Sequence, residues 1–268
     1  MAPPKKDPSI PLRTIALAPL RLVYAVYAIA TFLVMGLLTL LALLLVPGLR
    51  RRRAVAKVCA RNFLRAAGMP VTVRGIEQIP PTQCVIVSNH ASYLDGVLYT
   101  GILPPRFGFV IKREMNGVPL AGLLLRRLGS EFVERFNRNR GAADTRRVLR
   151  TATNGNSLVF FPEGTFTPSP GLLKFHTGAF VVAARAGCPV IPAVVRGSRV
   201  AMSPRNGIPR PNWIEVRFLK PITASATSAD GAAIELRDKA RKAILQELGE
   251  PDLTCSDDTD RPRDKALG

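Results

Sequence analysis

Val85-Ile86-Val87-Ser88-Asn89-His90-Ala91-Ser92-Tyr93-Leu94-Asp95 opens as an apolar strand and closes as the first turn of a helix. A strand end that opens into a helix is where open α/β sheets place their sites. One helical turn can bring Asp95 back against His90. A carboxylate there would fix the imidazole tautomer and stabilise its protonated form, leaving the other ring nitrogen to take a proton from a substrate hydroxyl. A histidine with a nearby aspartate is by itself more often structural than catalytic, so the pair needs support from elsewhere in the chain.

Outward from this segment the texture is one of alternating short strands and helices. Strands are expected at residues 71–74, 84–88, 107–111, 131–135, 157–161, 190–195 and 213–218. Helices are expected at 92–101, 120–128, 142–153, 178–186 and 232–248. Such alternation predicts an α/β domain around a mostly parallel sheet flanked by helices. A second strand runs into a turn at Phe160-Phe161-Pro162-Glu163-Gly164-Thr165. Were the two strands parallel neighbours, Glu163 would face the same sheet edge as His90 and could accept hydrogen bonds from a substrate's hydroxyls. The bland alternative is a turn whose glutamate pairs with a surface base.

Other chemistries find no residues. G-x-S-x-G is absent, which disfavours an acyl-serine hydrolase. His90 and His176 are the only histidines, and Cys59, Cys84, Cys188 and Cys255 are scattered, so no metal-ligand set is expected. His176, between the glutamate turn and a helix, reads as an ordinary loop residue.

Asn89-His90-x4-Asp95 followed by Phe161-Pro162-Glu163-Gly164-Thr165 resembles the glycerolipid acyltransferases, the family of 1-acylglycerol-3-phosphate acyltransferases and relatives. Four blocks occur there in this order. His90 and Asp95 match the first, which supplies the catalytic base and its partner. Gly129-Ser130-Glu131-Phe132-Val133-Glu134-Arg135 is similar to the second, whose arginine contacts acceptor phosphate. Phe161 to Thr165 match the third, whose glutamate serves acceptor binding. Val190-Ile191-Pro192 is similar to the fourth. Lys112 and Lys174-Phe175-x-x-Gly178-Ala179-Phe180 also fit the family. The resemblance covers residues 71–220.

It implies transfer of a fatty acyl group from a thioester to a lysophospholipid hydroxyl, in phospholipid biosynthesis or remodelling. His90 and Asp95 would be catalytic; Glu163, Gly164, Thr165, Arg135 and Lys112 would bind the acceptor. No bound cofactor is implied, only acyl-coenzyme A or acyl carrier protein as donor. One position departs from the pattern: the third block commonly continues with arginine, and here Phe166 stands instead. Phenylalanine cannot make arginine's bidentate bonds to phosphate, which leaves the head group open between lysophosphatidic acid and another lysolipid.

The rest of the chain speaks of membranes. Residues 22–49 carry no charge, follow Arg13 and Arg21, and end at Arg50-Arg51-Arg52-Arg53. A run of this length is enough to cross a bilayer, and it is too long for a signal peptide. Gly36 sits mid-run and would permit a re-entrant hairpin as the alternative to a spanning helix. The basic cluster after the run places the following domain on the cytoplasmic side of the cell membrane. Beyond it, Arg53, Lys57, Arg61 and Arg65 recur every fourth residue, the pattern of a helix lying on an anionic membrane or of an ordinary solvated face. Arg126, Arg127, Arg138, Arg140, Arg146, Arg147 and Arg150 would meet carrier phosphates, or form a solvated face.

The expected organisation is a mobile N-terminus (1–13), membrane-attachment helices (14–70), the acyltransferase domain (71–249) and a disordered tail (250–268). Lys and Arg total 38 against 19 Asp and Glu, a net charge of +19. A nucleic-acid binder would explain the charge and leave the apolar run and both motifs unexplained; with 6% aromatics the chain also lacks a base-stacking surface, so no nucleic-acid partner is expected. A non-catalytic membrane scaffold of the same fold is the second rival.

Overall fold

The computed structural model describes residues 18–134, 138–225 and 228–254. Two helices come first, α1 (Ala18–Leu45) and α2 (Leu49–Ala66). An α/β unit follows: β1 (Val71–Arg74), β2 (Val85–Ser88), α3 (Leu94–Ile102), β3 (Phe107–Lys112), α4 (Ala121–Arg127), β4 (Glu131–Val133), α5 (Arg138–Thr153), β5 (Ser157–Phe160), α6 (Gly178–Arg185), β6 (Val190–Arg196), α7 (Ser198–Ala201), β7 (Ile214–Phe218) and α8 (Ala229–Leu248). The seven strands form one sheet in the order β1-β7-β6-β2-β5-β3-β4. Pairing is parallel except between β6 and β7, so the expected mostly parallel sheet is present, with β1 and β7 running opposite to the other five.

The apolar strands sort their side chains to two faces, as the two-residue period requires. Ile86, Val159, Ile191 and Val195 join Leu94, Leu98 and Tyr99 of α3 and Phe63 and Leu64 of α2 in one core. Val85, Val87, Leu158 and Val194 join Val148 of α5, Phe180 and Val182 of α6, and Leu236, Ala240 and Ile244 of α8 in the other. Helices therefore cover both faces. The connection after β2 leads to β3 on one side of the sheet, whereas the connection after β5 leads to β6 on the other. The C-terminal ends of the neighbours β2 and β5 thus flank a topological switch point, where α/β folds open a crevice.

The expected apolar N-terminal helix is present, and the alternative of a hairpin at Gly36 is not what forms. α1 runs unbroken through Gly36; the chain reverses at residues 46–48, where Gly48 takes φ 81°. The reversal between the two helices therefore lies at Pro47-Gly48, where proline ends a helix and glycine tolerates a left-handed backbone. α1 and α2 pack antiparallel: Tyr24 Oη donates to the Ala67 carbonyl at 2.6 Å, Phe32 meets Phe63 edge-on at 5.3 Å, and Leu43 packs with Ala56 and Leu128.

The basic stripe of α2 is not one solvated face. Arg53 donates to the carbonyls of Leu128 (2.9 Å), Arg106 (3.1 Å) and Gly129 (3.3 Å), and Arg61 donates to Gly101 (2.7 Å). Two of the four bases thus cap the carbonyl ends of α4 and α3, where cations are favoured.

Residues 250–254, expected to begin a disordered tail, are a packed strap. Leu172 N–H donates to Pro251 O and Leu253 N–H to Leu172 O, at 2.9 and 3.1 Å, and Arg241 pairs with Asp252. Glu250 accepts from Gly171 N–H at 2.6 Å and pairs with Arg199.

Candidate active site

β2 ends at Ser88, and Asn89 is buried and clamped to β6 by two bonds. Its amide donates to Val195 O at 3.0 Å and its carbonyl accepts from Val195 N–H at 2.8 Å. Tyr99 reaches down from α3 to donate to Ser88 Oγ at 2.7 Å. The chain is therefore held on both sides as it leaves the sheet, and His90 is delivered to the crevice from a fixed stem.

His90 Nδ1 lies 2.8 Å from Asp95 Oδ2. The same oxygen accepts from Ala91 N–H at 2.8 Å and Ser92 N–H at 2.9 Å. Asp95 sits in the first turn of α3, fully buried. Its other oxygen, Oδ1, has no partner among the described residues. An acceptor-only carboxylate obliges Nδ1 to carry hydrogen, which leaves Nε2 as the basic nitrogen. The imidazole stacks on Phe161 (4.3 Å, 21°) and meets the edge of Phe166 (4.4 Å, 78°), and Phe166 in turn meets Tyr93 at 4.8 Å. Ring and tautomer are both fixed.

Glu163 arrives from β5, the parallel neighbour, through a turn that Gly164 closes at φ 76°. The carboxylate does not open to solvent. It is buried, with Oε1 accepting from His90 N–H at 2.6 Å and Oε2 from Leu173 N–H at 2.9 Å. Burial pushes its pKa up to about 7, against those two hydrogen bonds and the nearby Arg199 charge. In this arrangement Glu163 ties the β5 turn and the 171–173 loop to the backbone of His90.

The remaining expected site residues are spread along the edge. Lys112 is exposed at the end of β3, and Thr165 is exposed beside the glutamate turn. Arg135 lies outside the described residues. Of the arginines read as meeting carrier phosphates, Arg147 pairs with Glu131 and Asp144, Arg126 with Asn116, and Arg127 with the Leu44 carbonyl. Those three are engaged within the protein. Asp144 also receives Arg113 and Glu134 N–H; burial opposes its ionisation, but these donors outweigh it and hold its pKa below the ordinary value.

Sequence reasoning passed over Asn89 as a clamp, the Tyr99–Ser88 bond and the packing of Phe166 on His90. Only the adjacency of Asn89 to His90 pointed toward any of them.

Residues 70–196 match the family model described as Acyltransferase, which sets the class of the domain. The chain is 32% identical over 219 residues to 1-acyl-sn-glycerol-3-phosphate acyltransferase alpha of Mus musculus, covering 78% of this chain and 76% of that one. It is 30% identical over 186 residues to the 1-acyl-sn-glycerol-3-phosphate acyltransferase of Saccharomyces cerevisiae, a stretch that spans 68% of this chain and 61% of the yeast protein. The chain belongs to the 1-acyl-sn-glycerol-3-phosphate acyltransferase family. Its fold is similar to that of the 1-acyl-sn-glycerophosphate acyltransferase PlsC from Thermotoga maritima, with a TM-score of 0.66 over 88% of this chain and 98% of the other at 21% identity.

Proposed function

We propose that the protein transfers a fatty acyl group from an acyl thioester to the hydroxyl of a lysophospholipid. The observation that carries this reading is the shared Asp95 oxygen, which holds His90 as an Nδ1–H tautomer with Nε2 available as a base. Nε2 takes the acceptor hydroxyl's proton as that oxygen bonds to the thioester carbonyl carbon. Asp95 balances the imidazolium, and collapse of the tetrahedral intermediate breaks the C–S bond. The proton then passes from Nε2 to the departing thiolate. The names of the relatives support a lysophosphatidic acid acceptor; Phe166 against His90 favours a lysolipid with another head group. Lys112, Arg135, Gly164 and Thr165 are the acceptor contacts of this reading, and Glu163 contributes by positioning His90. The donor is acyl-coenzyme A or acyl carrier protein.

The site belongs at a membrane. α1 spans about 42 Å at 1.5 Å per residue and is the one described helix long and apolar enough to cross a bilayer. Yet Tyr24 near one end is bound to Ala67, while Leu43 near the other packs on Leu128 of the catalytic unit. A helix tied at both ends to one domain fits insertion along the bilayer face, with the domain on the cytoplasmic side.

The test is transfer of a labelled acyl group, from acyl-coenzyme A and from acyl carrier protein, to a panel of lysophospholipids by the detergent-solubilised protein. Activity that falls at least about a thousandfold in His90→Ala, with folding intact, is expected. Near-normal turnover in that variant, or no transfer by the parent with either donor, would overturn the reading.

A further inference from the structure

Beyond Phe166 lies a cavity of about 510 Å³, lined by Pro168, Ser169, Pro170, Ser203, Arg205, Asn206 and Arg210. One wall continues the glutamate turn that follows β5. The other follows β6 and α7. Both strands flank β2, so the cavity opens on the sheet edge that carries His90. Two contacts bind its walls to the catalytic turn: Ser92 Oγ donates to Met202 O at 2.9 Å, and Phe166 meets both His90 and Tyr93.

The chemistry of the lining is one-sided. Two guanidinium groups, two hydroxyls and an amide face the space, and no carboxylate does. Arg205 and Arg210 are both exposed, and neither has a side-chain hydrogen bond or ion pair among the described residues, so both guanidinium groups are available to a ligand. The loop that presents the two arginines is ordered by itself. Met202 bridges Pro209, Arg210 N–H donates to Ala201 O at 2.7 Å, and Gly207 N–H donates to Ser203 O at 2.8 Å. A rigid loop holding two unpaired planar cations over a polar cavity fits a polyoxygen anion.

We infer that Arg205 and Arg210 form a binding site for a phosphate-bearing group of one of the two substrates, the acceptor's head group or the donor's carrier. The cavity is larger than a lone phosphate needs, so the group extends beyond it. The inference rests on the acyl-transfer reading for its substrates, though not for its chemistry. It places binding charge on the loop that follows β6 and α7, while Phe161 and Phe166 keep the immediate surroundings of the base apolar.

The experiment compares the parent with R205Q/R210Q and R205K/R210K in neutral detergent. Loss of two charge-assisted contacts raises KM about tenfold or more. The lysine variant recovers part of it, with kcat little changed. A raised KM for a phosphorylated lysolipid assigns the site to the acceptor. A raised KM for acyl-coenzyme A, without one for acyl-pantetheine, assigns it to the carrier. Unchanged KM for both substrates overturns the inference, including where R205Q/R210Q only weakens binding to anionic vesicles. Should the parent transfer no acyl group at all, the proposed function falls while the site is still decided by calorimetry. Adenosine 3′,5′-bisphosphate or sn-glycerol 3-phosphate binding to the parent and lost in R205Q/R210Q supports it; titrations identical in both proteins, or binding to neither, overturn it.

Discussion

Asp95 shows how one oxygen can do the work usually divided between two. Oδ2 accepts from His90 and from two backbone amides, while Oδ1 is buried without a partner among the described residues. Asparagine could keep its carbonyl at the crowded position and turn its NH2 to the empty one, preserving the turn and losing only the charge. Asp95→Asn should therefore shift Tm by a few degrees at most while lowering kcat by about 10² to 10⁴; a parallel loss of folding and activity would make Asp95 merely structural. Glu163 predicts a pH dependence. Its pKa is raised by burial from an ordinary 4.5 to about 7, so between those values the folded chain holds a proton that the unfolded chain has released. Stability then falls as pH rises through that window, by about 3 kcal/mol at full ionisation. Tm of the parent should drop more from pH 5 to pH 8 than that of Glu163→Gln, and parallel curves would contradict it. His90 and Asp95 were legible because five residues of one turn join them. The inward aim of Glu163 was not, since its partners, His90 N–H and Leu173 N–H, depend on which strands become neighbours.

At the scale of elements, α2 carries the most consequence. Its bases at every fourth residue read as a surface stripe because sequence shows charge without showing what lies opposite. The structure puts carbonyl ends there, and burial lowers the pKa of the Arg53 guanidinium despite the attraction of Glu131. Arg53→Met should destabilise the chain by about 2–4 kcal/mol, because three carbonyls lose a charged donor. Arg53→Lys should recover only part of this, having no planar fork. Thermal or denaturant unfolding decides it; an unchanged midpoint would mean that water satisfies those carbonyls. Strand positions were the most readable elements, because short β-branched runs bounded by Gly, Pro and Asn leave little choice. The antiparallel entry of β7 was not readable, since a strand's direction is set by its connection rather than its side chains.

For the whole molecule, α1 offers a long apolar surface that the protein itself does not cover. Leu33, Leu37, Leu41 and Leu44 are exposed, while Ala25, Ala28, Leu40 and Leu43 face inward. Replacing Leu33, Leu37 and Leu41 with lysine costs little in packing and penalises burial in lipid by about 2–3 kcal/mol for each residue at the bilayer core, less near its surface. The triple variant should leave the membrane pellet for the supernatant at moderate salt; retention in the pellet would put the anchor elsewhere. The strap at residues 250–254 bears on the order in which the molecule is made. It closes over residues 171–173, and Leu173 N–H is what Glu163 grips on the side away from His90. The sheet is complete in sequence at Phe218, well before the strap emerges from the ribosome, and the second core is completed by Leu248 just ahead of it. The backbone of His90 is therefore braced last, by residues that touch neither His90 nor Asp95, and a nascent chain halted before them would carry the site's parts with its brace unfastened.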